Sequence, residues 1–365
     1  MKKSLLAVAV AAALPMAAQA QTNVTMYGIA DAGVGYVKPD APGTGGAMRV
    51  DSGIMSTSRW GVRGTEDLGG GLSAFFNAEA HWGVDEGVGD IAADPTNPSR
   101  GSALSFGRRS FVGLQGGFGQ VFLGREYTPA FYANIANDLF GYGMNGSTLG
   151  WNTAGLVSIR YSNAIFWNSP TWGGFQIRTA YGKGTLAGTE YYDSPKKRDN
   201  NGEIALMYTG GAFHANAYYR GGYANTAAGA PTSKIKQYGL GGGYKFGFGR
   251  VVAGFAVSDP DDVGAITDKV KMANIGLGVR AGAGEFLIQA HQVRYHDIGG
   301  GTPKANTLGV GYTYPLSKRT TLYATYAKVW NKDGAAFGIR NSANTYATVA
   351  DGKPQAIALG IRHQF

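Results

Sequence analysis

Short segments that alternate apolar and polar residues recur along the chain after its first twenty residues, and no other feature limits the fold as strongly. Between Leu72 and Trp82 every even position is apolar, while Asn77, Glu79 and His81 stand among the intervening residues. A period of two residues is typical of a β-strand with two different faces. No comparable segment has a convincing 3.6-residue period, so we expect little helix. Similar strand patterns occur at 175–181, 213–220 and 356–363.

The connections between these segments fall into two size classes. Seven short turns, rich in glycine or built on proline, alternate strictly with eight longer polar stretches. Fifteen connections join sixteen strands, so sixteen strands are predicted. The predicted long stretches are 38–55, 84–103, 127–155, 183–201, 224–234, 259–269, 296–305 and 331–353.

Alternating short turns and long loops are typical of an outer-membrane barrel with periplasmic turns and external loops. Lipid cannot satisfy backbone N–H and C=O groups, and only a closed barrel leaves no open strand edge. The 59 glycines and the low charged fraction of 16% suit many strands joined by tight turns. We therefore predict an all-β fold, a sixteen-stranded antiparallel transmembrane β-barrel with both termini on the periplasmic side. A soluble exported β-sandwich, β-helix or propeller is the alternative. No linker between two domains supports a sandwich, and no repeat of fixed sequence period supports a β-helix or a propeller.

Both ends of the chain carry export signals. Lys2 and Lys3 precede an apolar run at 5–14, and Ala18-Gln19-Ala20 matches a signal-peptide cleavage site. The predicted domains are thus a signal peptide at 1–20 and a barrel at 21–365. The chain ends on Phe365, and a C-terminal aromatic residue is typical of outer-membrane barrels. The net charge of +9 would suit a nucleic-acid partner, but an exported chain rarely meets one, so no nucleic acid is expected.

Composition and motifs argue against catalysis and metal binding. The chain has no cysteine and only five histidines, with no zinc-protease or nucleophile-elbow motif. We expect no cofactor, no metal and no enzyme activity. The sequence leaves open a pairing of His81 with Ser58 or Ser73 as base and nucleophile.

Several segments resemble the general porins of β-proteobacteria, a Gram-negative outer-membrane porin family. The resemblance spans the chain after residue 20, and it implies a homotrimer through which small hydrophilic solutes and ions diffuse passively. It also implies that the third external loop, at about 127–155, folds inward as the pore constriction, and that the second, at about 84–103, latches onto a neighbouring subunit. Outer-membrane lipid and lipopolysaccharide are the other expected partners. The matching segments are 24–28, 57–72, 109–114, 117–119, 123–125, 168–170, 173–175 and 359–365.

Strand parity predicts the first pore-facing residues independently of the resemblance. Trp60 and Val62 are apolar and face outward, so Arg59 and Arg63 face the lumen. Glu79 faces the lumen on the next strand.

On the following strands parity favours two more arginines. Because Val112 and Leu114 face outward, Arg109 is predicted to face inward and Arg108 is disfavoured, although a bulge near the rim would exchange the two. Arg160 is predicted to be luminal as well.

The resemblance places an arginine cluster at these positions of the constriction, with a glutamate at the position of Glu79. The loop at 127–155 carries one charge, Asp138. An excess of luminal arginine predicts an anion bias. The alternatives are a substrate-specific channel for small anionic solutes, an adhesin and a barrel enzyme.

Overall fold

The computed structural model describes residues 23–43, 45–87, 89, 105–152, 158–183, 200–224, 233–260, 269–296, 301–342, 345–346 and 348–365. The predicted signal peptide at 1–20 and most of the predicted latch at 84–103 lie outside these residues.

Antiparallel strands make up most of the described chain. They are β1 (Asn23–Lys38), β2 (Ala47–Ser52), β3 (Arg59–Gly69), β4 (Leu72–His81), β5 (Arg109–Gly116), β6 (Gly119–Tyr127), β7 (Arg160–Asn168), β8 (Phe175–Gly182), β9 (Asn201–Gly210), β10 (Phe213–Ala224), β11 (Ser233–Phe246), β12 (Gly249–Pro260), β13 (Val270–Ala281), β14 (Gly284–Tyr295), β15 (Lys304–Pro315), β16 (Thr320–Lys332), β17 (Ile339–Arg340), β18 (Thr345–Tyr346) and β19 (Gln355–Gln364). One α-helix, α1 (Pro129–Ala136), and a 3₁₀ turn at Thr148–Asn152 lie between β6 and β7. No helix among the described residues is both long enough and apolar enough to span a membrane.

Each barrel strand pairs with its neighbours in sequence order, and the sheet closes on itself. β1 pairs with β19 from Ile29 opposite Gln364 to Lys38 opposite Gln355. The closed sheet contains seventeen segments. Since β2 and β3 are two parts of one interrupted strand, both paired with β1, the barrel has sixteen strands. The predicted sixteen-stranded antiparallel barrel is confirmed.

The interruption between β2 and β3 corrects one predicted boundary. The stretch at 38–55 was predicted as a single loop, but Ala47–Ser52 forms β2. The chain leaves the sheet at 53–58, where the Asp31 carboxylate accepts hydrogen bonds from the backbone N–H groups of Met55, at 3.1 Å, and Ser56, at 2.7 Å. The buried carboxylate of β1 thus satisfies backbone N–H groups that have left the sheet and no longer have a partner strand.

The two faces of the strands differ in polarity as the alternation predicts. Val112, Leu123 and Ile165 are exposed on the outside of the barrel. Gln237 and Gln289 are fully buried on the opposite face. An apolar exterior around a polar interior is the arrangement that lipid and water together require.

The described residues between β6 and β7 lie inside the barrel. α1 contacts β9, β10 and β11, and Phe140 and Met144 pack in a buried cluster with side chains from several strands. Glycines allow the closest approach: Gly146 has φ +90°, and a Cβ there would lie 2.6 Å from the Cα of Gly309. The loop therefore rests on the inner wall instead of extending away from the rim.

Candidate functional site

Five adjacent strands, β3 to β7, place an arginine-rich wall opposite α1. Directly paired residues of antiparallel strands share a face. Gly61 pairs with Glu79, and Glu79 pairs with Arg109 on β5. Glycine is required at 61 because Tyr27 lies across it to reach Glu79; a Cβ there would lie 3.0 Å from the Tyr27 ring.

Glu79 is the carboxylate at the centre of this wall. It accepts a 2.9 Å hydrogen bond from the Tyr27 hydroxyl and a 2.6 Å hydrogen bond from Nε of Arg108. Nη1 of Arg59 lies 4.0 Å from the same carboxylate. The side chains of Glu79 and Arg108 are almost completely buried, whereas that of Arg59 is 22% exposed. The charges of Glu79 and Arg108 thus compensate each other, while Arg59 reaches water.

Tyr127 joins Arg108 to a third arginine. Its hydroxyl accepts a hydrogen bond from Arg108 and a 2.9 Å hydrogen bond from Nη2 of Arg160. The Arg160 guanidinium also lies 4.4 Å from the centre of the Tyr127 ring, within cation–π range. We call Arg59, Arg108 and Arg160 the arginine cluster. With Glu79 among these three cations, the group as a whole is positively charged.

Arg109 lines the lumen, but it pairs with Glu126 and lies outside the arginine cluster. Its Nε donates a 2.8 Å hydrogen bond to Glu126, and Nη2 contacts the same carboxylate oxygen. Parity favoured Arg109 over Arg108 for the cluster, but Arg108 precedes the first residue of β5, so the alternation of that strand does not determine its direction. A register shift between Gly124 and Glu126 places both Glu126 and Tyr127 in buried positions on the inner wall.

Arg63 and Asp138, the remaining predicted residues, lie apart from the cluster. Arg63 lies over the Tyr27 ring at 5.1 Å. Asp138 is fully committed to holding the loop: one oxygen accepts from Phe140 N at 2.8 Å and from the Gln289 amide at 3.1 Å. The other accepts from the backbone N–H and the hydroxyl of Thr148, at 2.6 and 2.5 Å. Asp138 therefore anchors the loop to β14.

A helix cap and two contacts with the barrel wall also position the loop in the lumen. Thr128 caps α1 by accepting a 3.1 Å hydrogen bond from Phe131 N. Glu203 on β9 accepts a 3.0 Å hydrogen bond from Ala130 N in the first turn, where a helix favours negative charge. The side-chain amides of Asn137 and Asn216 exchange hydrogen bonds, both 2.9 Å long.

Sequence reasoning did not identify Tyr27, Tyr127 or Gln289. Parity places Gln289 inward, because Phe286 and Ile288 are exposed outward on the same strand. Tyr127 carries no such signal, since its direction follows from the register shift.

The alternative catalytic arrangement is not formed. The Ser58 hydroxyl donates a 3.0 Å hydrogen bond to the backbone oxygen of Asp31, and His81 does not accept it. Among the described residues, no three histidine or carboxylate side chains are grouped as a metal site would require.

Comparisons with known proteins agree with the barrel fold. A family model described as Gram-negative porin matches residues 7–334. An outer membrane porin protein of Bordetella pertussis is 32% identical over 416 residues, and outer membrane porin protein 32 of Delftia acidovorans is 35% identical over 381 residues. Each alignment covers the whole of both chains.

The solved structures include a porin at higher sequence identity and more distant barrels. The anion-selective porin from Comamonas acidovorans superposes with a TM-score of 0.80 at 28% identity, covering 94% of this chain and all of that one. The trimer form of the Vibrio cholerae outer membrane protein OmpT has a TM-score of 0.67 at 15% identity over 94% of this chain and 99% of that one, a likeness of fold alone. The predicted family, outer-membrane location and non-enzymatic porin function are confirmed. The chain belongs to the Gram-negative porin family and is an outer-membrane porin.

Proposed function

We propose that this porin is a general diffusion channel with an anion bias that originates in the arginine cluster. The observation that carries the proposal is the gathering of Arg59, Arg108 and Arg160 around Glu79 on the wall that faces α1. The Comamonas neighbour, described as anion-selective, supports it.

The charges on this wall explain the sign of the bias. A positive field in a narrow aqueous passage raises the local concentration of anions. Arginine stays protonated throughout the physiological pH range, so the bias persists across that range. The Arg109–Glu126 pair contributes little net charge.

The same proposal assigns the rest of the chain. Residues 1–20 are a cleaved signal peptide, and 21–365 form the barrel. The long connections face outside, the short turns face the periplasm, and the loop at 127–155 narrows the pore. Arg59, Arg63, Glu79, Arg108, Arg109, Asp138 and Arg160 belong to the constriction, with Asp138 as its anchor.

The assembly that we propose is a homotrimer in outer-membrane lipid and lipopolysaccharide. The OmpT neighbour described as a trimer form supports the oligomer. The apolar outer face, with Val112, Leu123 and Ile165 exposed, supplies surface for lipid or for a second copy. Gel mobility of the folded protein before and after heating tests the oligomer directly.

The reversal potential in a planar bilayer under a KCl gradient tests the selectivity. Arg59→Gln with Arg160→Gln removes two charges and keeps the buried Arg108–Glu79 pair intact. A charge 4–8 Å from a passing ion changes its free energy by about 0.5–1 kcal/mol in water. We therefore expect the chloride-to-potassium permeability ratio to fall several-fold, toward one.

The matched control is Arg319→Gln, an exposed arginine in the short turn between β15 and β16. It should leave the ratio unchanged. An unchanged ratio in the double variant would refute the assignment of the bias to the cluster, and absence of conductance from folded wild-type protein would refute the channel itself.

A further inference from the structure

Four phenylalanines form a continuous apolar patch on the inner wall of the barrel, beside the arginine cluster. Phe75, Phe111, Phe122 and Phe166 come from the four adjacent strands β4 to β7, and we call them the phenylalanine patch. The rings of Phe122 and Phe166 are stacked at 5.0 Å, and those of Phe111 and Phe122 lie 4.9 Å apart. Phe75 lies 5.8 Å from Phe122.

Contact with lipid does not explain this patch. On the same strands Val112, Leu123 and Ile165 occupy the outward positions and are exposed there. The phenylalanines therefore stand on the face that a barrel of this kind fills with polar residues. Phe122 and Phe166 are buried beneath their neighbours, whereas Phe75 and Phe111 remain partly exposed.

The patch borders a cavity that also contains cationic side chains. The cavity has a volume of about 570 Å³ and lies between the patch and Pro129 and Tyr132 of the inward loop. Arg63, Arg109 and Arg178 line it as well. A volume of this size suits one small organic molecule.

Two of these arginines are available to an anion. Within the part of the chain that the structure describes, no carboxylate forms an ion pair with Arg63 or Arg178. Arg178 lies 4.3 Å from the centre of the Tyr132 ring and donates a 3.0 Å hydrogen bond to Gln176. Arg63 is exposed to the lumen.

We propose that this cavity is a transient binding site for small aromatic carboxylates on their way through the pore. The carboxylate is held by Arg63 or Arg178, and the ring packs against Phe75 and Phe111. Aromatic rings prefer offset-stacked or edge-to-face contact with one another, and arginine recognises a carboxylate through two parallel hydrogen bonds. Chloride and acetate can use only the charged half of such a site. The inference rests on the proposed diffusion function and extends it to a class of solute.

The first test measures block of the chloride current through single channels as benzoate, acetate or cyclohexanecarboxylate is added on one side. We expect benzoate to produce a saturable, transient block, with cyclohexanecarboxylate weaker and acetate without effect. Phe75→Leu keeps an apolar side chain but removes the ring, and it should weaken the benzoate block about threefold to tenfold. Arg63→Gln together with Arg178→Gln should reduce the block further.

The matched control for the ring is Phe255→Leu, a phenylalanine exposed on the outer face of β12. It should leave the benzoate block at the wild-type value. If Phe255→Leu weakens the block as much as Phe75→Leu does, the luminal patch is not the site.

A second measurement separates this inference from the proposed function. The ¹⁹F resonance of 4-fluorobenzoate is followed with folded protein in detergent, with protein-free micelles as reference. Saturable broadening that Phe75→Leu reduces supports the site even if no conductance is found. An open, anion-biased wild-type channel with no benzoate block and no such broadening overturns the inference and leaves the diffusion function standing.

Discussion

Glu79 shows how one residue determines the balance of charge in the lumen. Arg108 and Glu79 are each about 3–4% exposed and pair at 2.6 Å, so neither charge can be removed without leaving the other buried. Arg59 and Arg160 stand at the edge of that pair. Under the proposed function, the field in the passage comes from the arginines that Glu79 does not neutralise.

Replacing Glu79→Gln should increase the anion bias and destabilise the barrel. The variant leaves the arginine cluster without its carboxylate, which raises the chloride-to-potassium permeability ratio. Breaking a buried ion pair from one side costs about 3–5 kcal/mol. The reversal potential reports the first effect, and urea unfolding followed by circular dichroism reports the second.

The control for this substitution is Glu285→Gln, which breaks the half-exposed pair with Arg250 at 2.9 Å. An exposed pair contributes about 0–1 kcal/mol, so its loss should be small. Equal destabilisation by the two variants would contradict the special role of burial at Glu79.

At the scale of an element, the inward loop depends on a few polar contacts with the far wall. Asp138 accepts four hydrogen bonds, and one of these comes from Gln289 on β14. Thr128 and Glu203 hold the beginning of α1. The loop thus crosses the lumen because its polar groups find partners on several strands.

Asp138→Asn should loosen the loop, because the amide nitrogen would face groups that donate hydrogen bonds. An unsatisfied buried polar group costs about 1–3 kcal/mol. We expect higher single-channel conductance or added current noise. The control is Asp333→Asn, which replaces an exposed carboxylate paired with Lys304 and should change neither the conductance nor the noise. An unaltered single-channel current in Asp138→Asn would show that the other contacts suffice to hold the loop.

Acidification should not release this loop, because a protonated Asp138 oxygen, unlike an asparagine nitrogen, still accepts from the Thr148 N–H while its own O–H donates to the Thr148 hydroxyl. Burial raises the pKa of Asp138 above its ordinary value, so the folded loop favours the protonated form more than the unfolded chain does. Between the ordinary pKa of an aspartate and the higher pKa of Asp138 in the folded loop, the free energy of unfolding therefore increases as the pH falls. It decreases as the pH rises through the same interval. Single-channel conductance measured between pH 7 and pH 4 should show no rise at the acidic end.

At the scale of the whole molecule, the barrel sets the aqueous path in which the luminal charges act. Closure through β1 and β19 brings both ends of the sheet to the same rim, where Gly28 and Phe365 exchange backbone hydrogen bonds, both 3.1 Å long. The loop anchored by Asp138 lies inside the barrel. In the proposed channel, ions pass the arginine cluster through water, so salt screens the field of the cluster.

The anion preference should weaken as salt increases. The Debye length falls from about 10 Å at 0.1 M to about 3 Å at 1 M. The permeability ratio from reversal potentials, measured with the same gradient at low and high mean KCl, should approach one at the higher concentration. A permeability ratio that stays constant would indicate that the arginines select anions by direct contact and not by a field that acts across the passage.

The barrel, its sixteen strands and the inward direction of Arg59 and Glu79 could be predicted from the amino-acid sequence. These features depend on local alternation, which lipid on one face and water on the other impose on every strand. Among the described residues, the long connections lie where the alternation predicts, apart from two stretches: part of 38–55 forms β2, and 331–353 contains β17 and β18.

Which charged side chains contact one another could not be predicted from the alternation of the strands. Arg108, and not Arg109, belongs to the arginine cluster, because Arg108 precedes β5 and is not bound by the alternation of that strand. Tyr127 contacts the cluster because of the register shift in β6. Asp138 reaches Gln289, which lies 151 residues further along the chain, because the loop crosses the lumen. Alternation specifies the face of a side chain, but its partner depends on register, irregular turns and the path of a loop, which are properties of the closed barrel.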